Sequence, residues 1–98
     1  MKRFLLLYNG PPTPPDASHE GWPEWFAGLG EALVDRGSPL LPAFTLHHGG
    51  STSDRTTSLN GYSIIQAADK ADALQLVGDH PFAQLGDGYA VEVFELPG

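Results

Sequence analysis

Four histidines, His19, His47, His48 and His80, are the only side chains in this sequence that titrate near neutrality without help from their surroundings. His80 stands out by its setting. Asp79 precedes it and Pro81 follows, so its backbone is stiffened and a carboxylate is close in the chain, where a helical pattern gives way to the last strand. A group of this kind moves protons to or from a phenol, an enol or a halogenated ring, which makes His80 and Asp79 the candidate catalytic pair. Two other roles fit the same imidazole: capping a helix from within the core, and orienting a ligand without chemistry. His47 and His48 are strand neighbours that point oppositely, so only one of them can share a cleft with His80. Neither an HExxH nor a close His-x-His spacing accompanies them, and no metal is expected. His19 falls in a loop and is expected to be solvated.

Aromatic side chains surround these positions in the sequence. Trp22, Trp25 and Phe26 crowd the start of a helical pattern, while Tyr8 and Tyr62 bring hydroxyls to strands. Core packing and subunit contact account for such a cluster. The functional alternative is a substrate pocket formed by Tyr8, Trp25, His47 and Tyr62, fitted to a planar or apolar small molecule whose polar group is oriented by tyrosine hydroxyls and His80. Gly28-Leu29-Gly30 and Gly49-Gly50 lack the spacing of a phosphate-binding loop, and no serine sits in a G-x-S-x-G elbow, so no cofactor and no serine nucleophile are expected. Asp35 and Arg36, next to Gly37, are expected to form an exposed pair at a helix end.

Composition narrows the classes further. Twelve acidic and 5 basic side chains in 98 residues give a net charge of -7, which removes the counterion-release contribution on which nucleic-acid binding depends and disfavours an anionic membrane surface. Cysteine is absent, so disulfides, thiolate nucleophiles and thiolate metal sites are all excluded. The early apolar run from Phe4 to Tyr8 is far shorter than the roughly 20 residues a membrane span needs, and a cytoplasmic location is the expectation.

The elements that must position these groups follow from periodicity. Residues 2–9 form a first strand with Phe4, Leu6 and Tyr8 on one face and Leu5 and Leu7 on the other, apolar on both. Four prolines in residues 11–15 demand an extended surface loop. Residues 22–36 fit a helix with an apolar stripe of Trp25, Phe26, Leu29, Ala32 and Leu33, stopped by Gly37. Gly28 and Gly30, unfavourable within it, are expected to mark close approach to another element. Residues 40–48 are expected as the second strand, residues 49–58 as a polar hairpin connection and residues 59–67 as the third strand. Asp69 is placed to cap a second helix, and residues 89–96 form the last strand. The order is β-α-β-β-α-β, an α+β arrangement of the ferredoxin-like kind in a single domain spanning residues 1–98. Two helices cover only one face of a four-stranded sheet, so strands apolar on both faces predict a homodimer in which an identical subunit covers the other.

Several stretches resemble the YCII-related, or DGPF-type, domain family. They are Met1-Lys2-Arg3-Phe4-Leu5-Leu6-Leu7-Tyr8, the run from Trp25-Phe26 through Leu33-Val34-Asp35-Arg36-Gly37-Ser38-Pro39-Leu40, and Gly61-Tyr62-Ser63-Ile64-Ile65-Gln66-Ala67-Ala68-Asp69, followed by His80-Pro81 and Tyr89-Ala90-Val91-Glu92-Val93. The resemblance implies a ferredoxin-like domain paired into a dimeric α/β barrel. It also implies, for members with proposed chemistry, a His and Asp pair in a cleft between sheet and helices. Here the matching helix positions hold Trp25 and Phe26, and the Asp-Pro step is matched by His80-Pro81 with Asp79 one residue earlier. The sequence thus supports two functional expectations: proton transfer or elimination on a small aromatic or enolic substrate, assisted by His80, or a non-catalytic dimer that binds a small apolar ligand or a protein partner.

Overall fold

A computed structural model of the chain describes residues 1–11, 21–41, 43–54 and 58–97. In chain order the elements are β1 (Lys2–Asn9), α1 (Trp22–Leu29), β2 (Leu33–Pro39), β3 (Thr45–Leu46), β4 (Thr52–Ser53), β5 (Leu59–Ala67), α2 (Lys70–Val77) and β6 (Ala90–Leu96), with 3-10 turns at Gly30–Ala32 and Pro81–Gln84. Four strands pair antiparallel in the order β2-β5-β1-β6. β1 lies inside the sheet, as its two apolar faces require: Phe4, Leu6 and Tyr8 are buried, Leu5 and Leu7 half-buried.

The core forms on the Tyr8 side. Phe4, Leu6 and Tyr8 of β1 and Ile65 and Ala67 of β5 pack with Leu29 of α1, Ala73 and Val77 of α2, and Phe82. α2 is started by a reciprocal cap. The Asp69 carboxylate accepts the Asp72 N–H at 2.8 Å while the Asp72 carboxylate accepts the Ala68 N–H at 2.9 Å, satisfying two backbone donors. Across the sheet, the register places Leu5, Ile64 and Phe94 in one row that no helix covers, and Phe94 is 48% exposed.

This topology overturns the expected ferredoxin-like sandwich closed as a dimeric α/β barrel. The larger sheet is open, with β2 and β6 at its edges, and a second sheet made of β3 and β4 is inserted between β2 and β5. The chain forms an α+β sandwich with helices on one face of an open sheet.

Two boundary expectations fall with it. The first helix does not run over residues 22–36. It ends at Leu29, because Gly30 turns to φ 54 and the following residues find a better partner in β5, where Leu33 pairs with Ile65. Added Cβ atoms at Gly28 and Gly30 would meet nothing within 4 Å, so these glycines weaken the helix without marking a close approach. The second strand accordingly occupies Leu33–Pro39 instead of residues 40–48, where Thr45–Leu46 alone are strand among the described residues. Gly37 is not a helix stop. It sits in β2 at φ +79, where a Cβ would lie 1.7 Å from the Tyr62 carbonyl oxygen, so only glycine lets the edge strand approach β5 there. Most of the proline-rich segment, Pro42 and His19 lie outside the described residues. Among the described residues no helix is long and apolar enough to cross a membrane.

Candidate functional site

The sheet and the Pro81–Gln84 turn bring together a buried polar row that crosses the core. His80 is fully buried, and its side chain caps the turn. The Phe82 N–H donates to His80 Nδ1 at 3.0 Å, so Nδ1 is the bare nitrogen and Nε2 carries the proton. Nε2 faces the Tyr8 hydroxyl at 3.1 Å, that hydroxyl donates to Ser63 Oγ at 2.6 Å, and Ser63 donates to the Arg36 carbonyl at 2.7 Å. Every link follows from local structure. Tyr8 and Ser63 share the core face of adjacent antiparallel strands, Tyr8 opposite Gly61 and Ser63 opposite Leu6, and Gly37 draws β2 close enough for the carbonyl beside it to reach Ser63.

Aromatic rings close this row from water. The His80 ring lies 4.8 Å from Tyr8, 4.9 Å from Trp22 and 4.1 Å from Trp25, centroid to centroid. Burial in this apolar box disfavours the imidazolium and pushes the His80 pKa down from 6.5 to about 4. Burial also raises Tyr8, from 10.0 to about 12, against the smaller opposing effect of its hydrogen bond to Ser63. Both groups are therefore neutral across the physiological range.

Beside the row, a cavity of about 360 Å³ opens between α1 and the β2–β5 edge of the sheet. Tyr8, Trp22, Phe26 and Phe82 make its aromatic wall, and Arg36 to Pro39 with Asn60 to Tyr62 make the strand side. Arg36 is the only charged lining residue among those described, and its guanidinium carbon sits 4.8 Å from the centre of the Phe26 ring. Its neighbour Asp35 does not pair with it. The Asp35 carboxylate accepts the Gly37 N–H at 2.8 Å, and among the described residues the one ion pair is that of Lys2 with Glu95. Trp22 Nε1 is buried with no hydrogen-bond partner among the described residues.

The expected site residues divide between these features. Tyr8 belongs to both the row and the pocket wall. Tyr62 borders the pocket, while its register position opposite Leu7 places it on the other face of the sheet from Tyr8. Trp25 packs on His80 and is not a pocket residue. His47 lies on the β3–β4 hairpin, exposed, with Nε2 at 2.8 Å from Ser53 Oγ, apart from the pocket and from His80. Asp79 is exposed and makes no hydrogen bond with His80, whose partners are Tyr8 and Phe82. The pair expected to act together is thus separated by burial. Among the described residues, no three of His, Asp and Glu gather as a metal would require.

Ser63 and Arg36 are the participants that sequence reasoning missed. Ser63 carries no local signal. Arg36 was hidden by the helical period assigned to its segment, although the Gly28 and Gly30 pair and the β-branched Val34 argue locally against a helix that continues through it. No family model matches the chain, and no curated protein or solved structure is found to be similar to it.

Proposed function

We propose that this chain is a binding domain for a small, planar and largely apolar molecule, held in the pocket between α1 and the β2–β5 edge. The observation that carries this reading is a cavity of about 360 Å³ walled by Tyr8, Trp22 and Phe26, next to a polar row whose donors and acceptors serve one another. What favours binding over proton transfer is the state of His80. Its Nδ1 accepts from Phe82, its Nε2–H faces Tyr8, and a pKa of about 4 leaves it neither charged nor free to take a proton at neutral pH.

The test is a screen of small aromatic compounds by amide and indole nuclear magnetic resonance. Shifts should gather at the Trp22 indole N–H and at Gly37, Ser38, Asn60 and Gly61. Shifts scattered over the surface, or none at millimolar compound, would overturn the reading.

Proton transfer on an enolic or aromatic substrate is the second reading. It rests on Tyr8, which lines the pocket and touches His80. With a pKa of about 12, Tyr8 serves as a hydrogen-bond donor and not as a base. The proposal also includes a cytoplasmic location, kinship with the YCII-related domains, and a second copy covering the uncovered row of Leu5, Ile64 and Phe94. Kinship would not bring the His and Asp chemistry with it, since Asp79 stands in solvent away from the buried His80.

A further inference from the structure

Among the described residues the pocket is lined by one cation, Arg36, and by no acid. An acidic chain, with 12 carboxylates to 5 basic groups, keeps one of those five cations at the edge of an aromatic cavity without a carboxylate partner among the described residues. The nearest carboxylate in sequence, that of Asp35, accepts the Gly37 N–H, and the guanidinium carbon lies instead 4.8 Å from the centre of the Phe26 ring at the pocket wall. A guanidinium offers a planar fork that matches a carboxylate.

Building on the binding function proposed above, we infer that the ligand is an aromatic carboxylate: its ring lies against Tyr8, Trp22 and Phe26, and its anionic group is held by Arg36. The neutral row behind the wall fits this chemistry, because an ionised tyrosine next to the pocket would repel the anion, whereas Tyr8 remains protonated. Arg36 is exposed, so water and salt weaken its contribution, and a moderate preference for the anion follows rather than an absolute one.

The test compares 2-naphthoate with 2-naphthamide, which share a ring system and differ in charge, by titration calorimetry on the full chain. The carboxylate should bind roughly tenfold more tightly, about 1.4 kcal/mol, and the gap should narrow as salt is raised. Arg36→Gln should abolish the gap and leave amide binding in place, while Arg36→Lys should keep part of it; circular dichroism on each variant checks the fold. Equal binding of the two compounds, or a carboxylate preference that survives Arg36→Gln, overturns the assignment of the anion to Arg36 and leaves the aromatic pocket standing. Failure of both compounds to bind the unmodified chain overturns the pocket and the carboxylate together.

Discussion

His80 Nε2 lies 3.1 Å from the hydroxyl of Tyr8, a residue 72 positions earlier in the chain, and both groups are buried. The contact joins the turn before the last strand to the middle of the sheet, and it defines the direction of every proton in the row, from imidazole to tyrosine to serine to the β2 carbonyl.

Removing the middle of that row strands its ends. Tyr8→Phe keeps the ring but leaves the His80 Nε2–H and Ser63 without their partner, and urea unfolding should show a loss of about 1–3 kcal/mol. Ser63→Ala should cost a similar amount. Because both changes break one row, the double variant should lose clearly less than the sum, and strict additivity would show that the groups do not act as a unit.

The pH dependence of stability follows from His80. Its pKa is about 4 in the folded chain against 6.5 for an unburied imidazole, so between those values the unfolded chain binds the extra proton. Stability is therefore complete above pH 6.5 and falls as the pH drops toward 4, by on the order of 3 kcal/mol from this residue. Carboxylates titrate in part of the same window, so the informative quantity is the difference from His80→Gln, whose unfolding curve should fall less steeply. A His80 imidazole that titrates near 6.5 by nuclear magnetic resonance would contradict the buried, neutral state.

Tyr8 gives the opposite limb. Its folded pKa of about 12 exceeds the ordinary 10.0, so its contribution is present below pH 10 and is lost as the pH rises toward 12. Comparing the tyrosinate absorbance of the natural chain with that of Tyr8→Phe should show the missing component titrating near pH 12; a component near pH 10 would argue against its burial.

Two glycines in neighbouring elements should respond in opposite directions. Gly37→Ala places a Cβ on the Tyr62 carbonyl at a positive φ and should destabilise by at least about 2 kcal/mol, displacing β2 and weakening ligand binding. Gly28→Ala enters open space within α1 and should stabilise by about 1 kcal/mol. Melting temperatures of the two variants decide both.

The uncovered row of Leu5, Ile64 and Phe94 bears on assembly. Sedimentation equilibrium at micromolar concentration should give a mass of two chains, and Phe94→Glu should return one. A single-chain mass for the unmodified protein removes the second copy from the proposal.

How far the sequence reveals all this depends on where local preference and tertiary pairing agree. In β1 and β5 an unbroken apolar run has no rival to strand, and at Asp69 the cap is written in a side chain and its neighbour. Over residues 30–39 the two disagree. Ala32 and Leu33 extend a helical stripe, but Leu33 gains a buried partner by pairing with Ile65, and that gain lies 32 residues away in the chain, beyond any local pattern. The same error concealed the site: with the segment taken as helix, Arg36 belonged to a solvent-facing end, whereas as strand it borders the cavity. His80 drew notice through its neighbours Asp79 and Pro81, yet its aromatic box is built from Tyr8, Trp22 and Trp25 and becomes visible only once the chain is folded.

Arg36 is anchored at one end and available at the other. Its carbonyl receives the last hydrogen bond of the buried row, and its guanidinium borders the pocket. One residue thus belongs to the buried row through its backbone and to the pocket through its side chain, so the strand that closes the core also forms the rim of the cavity.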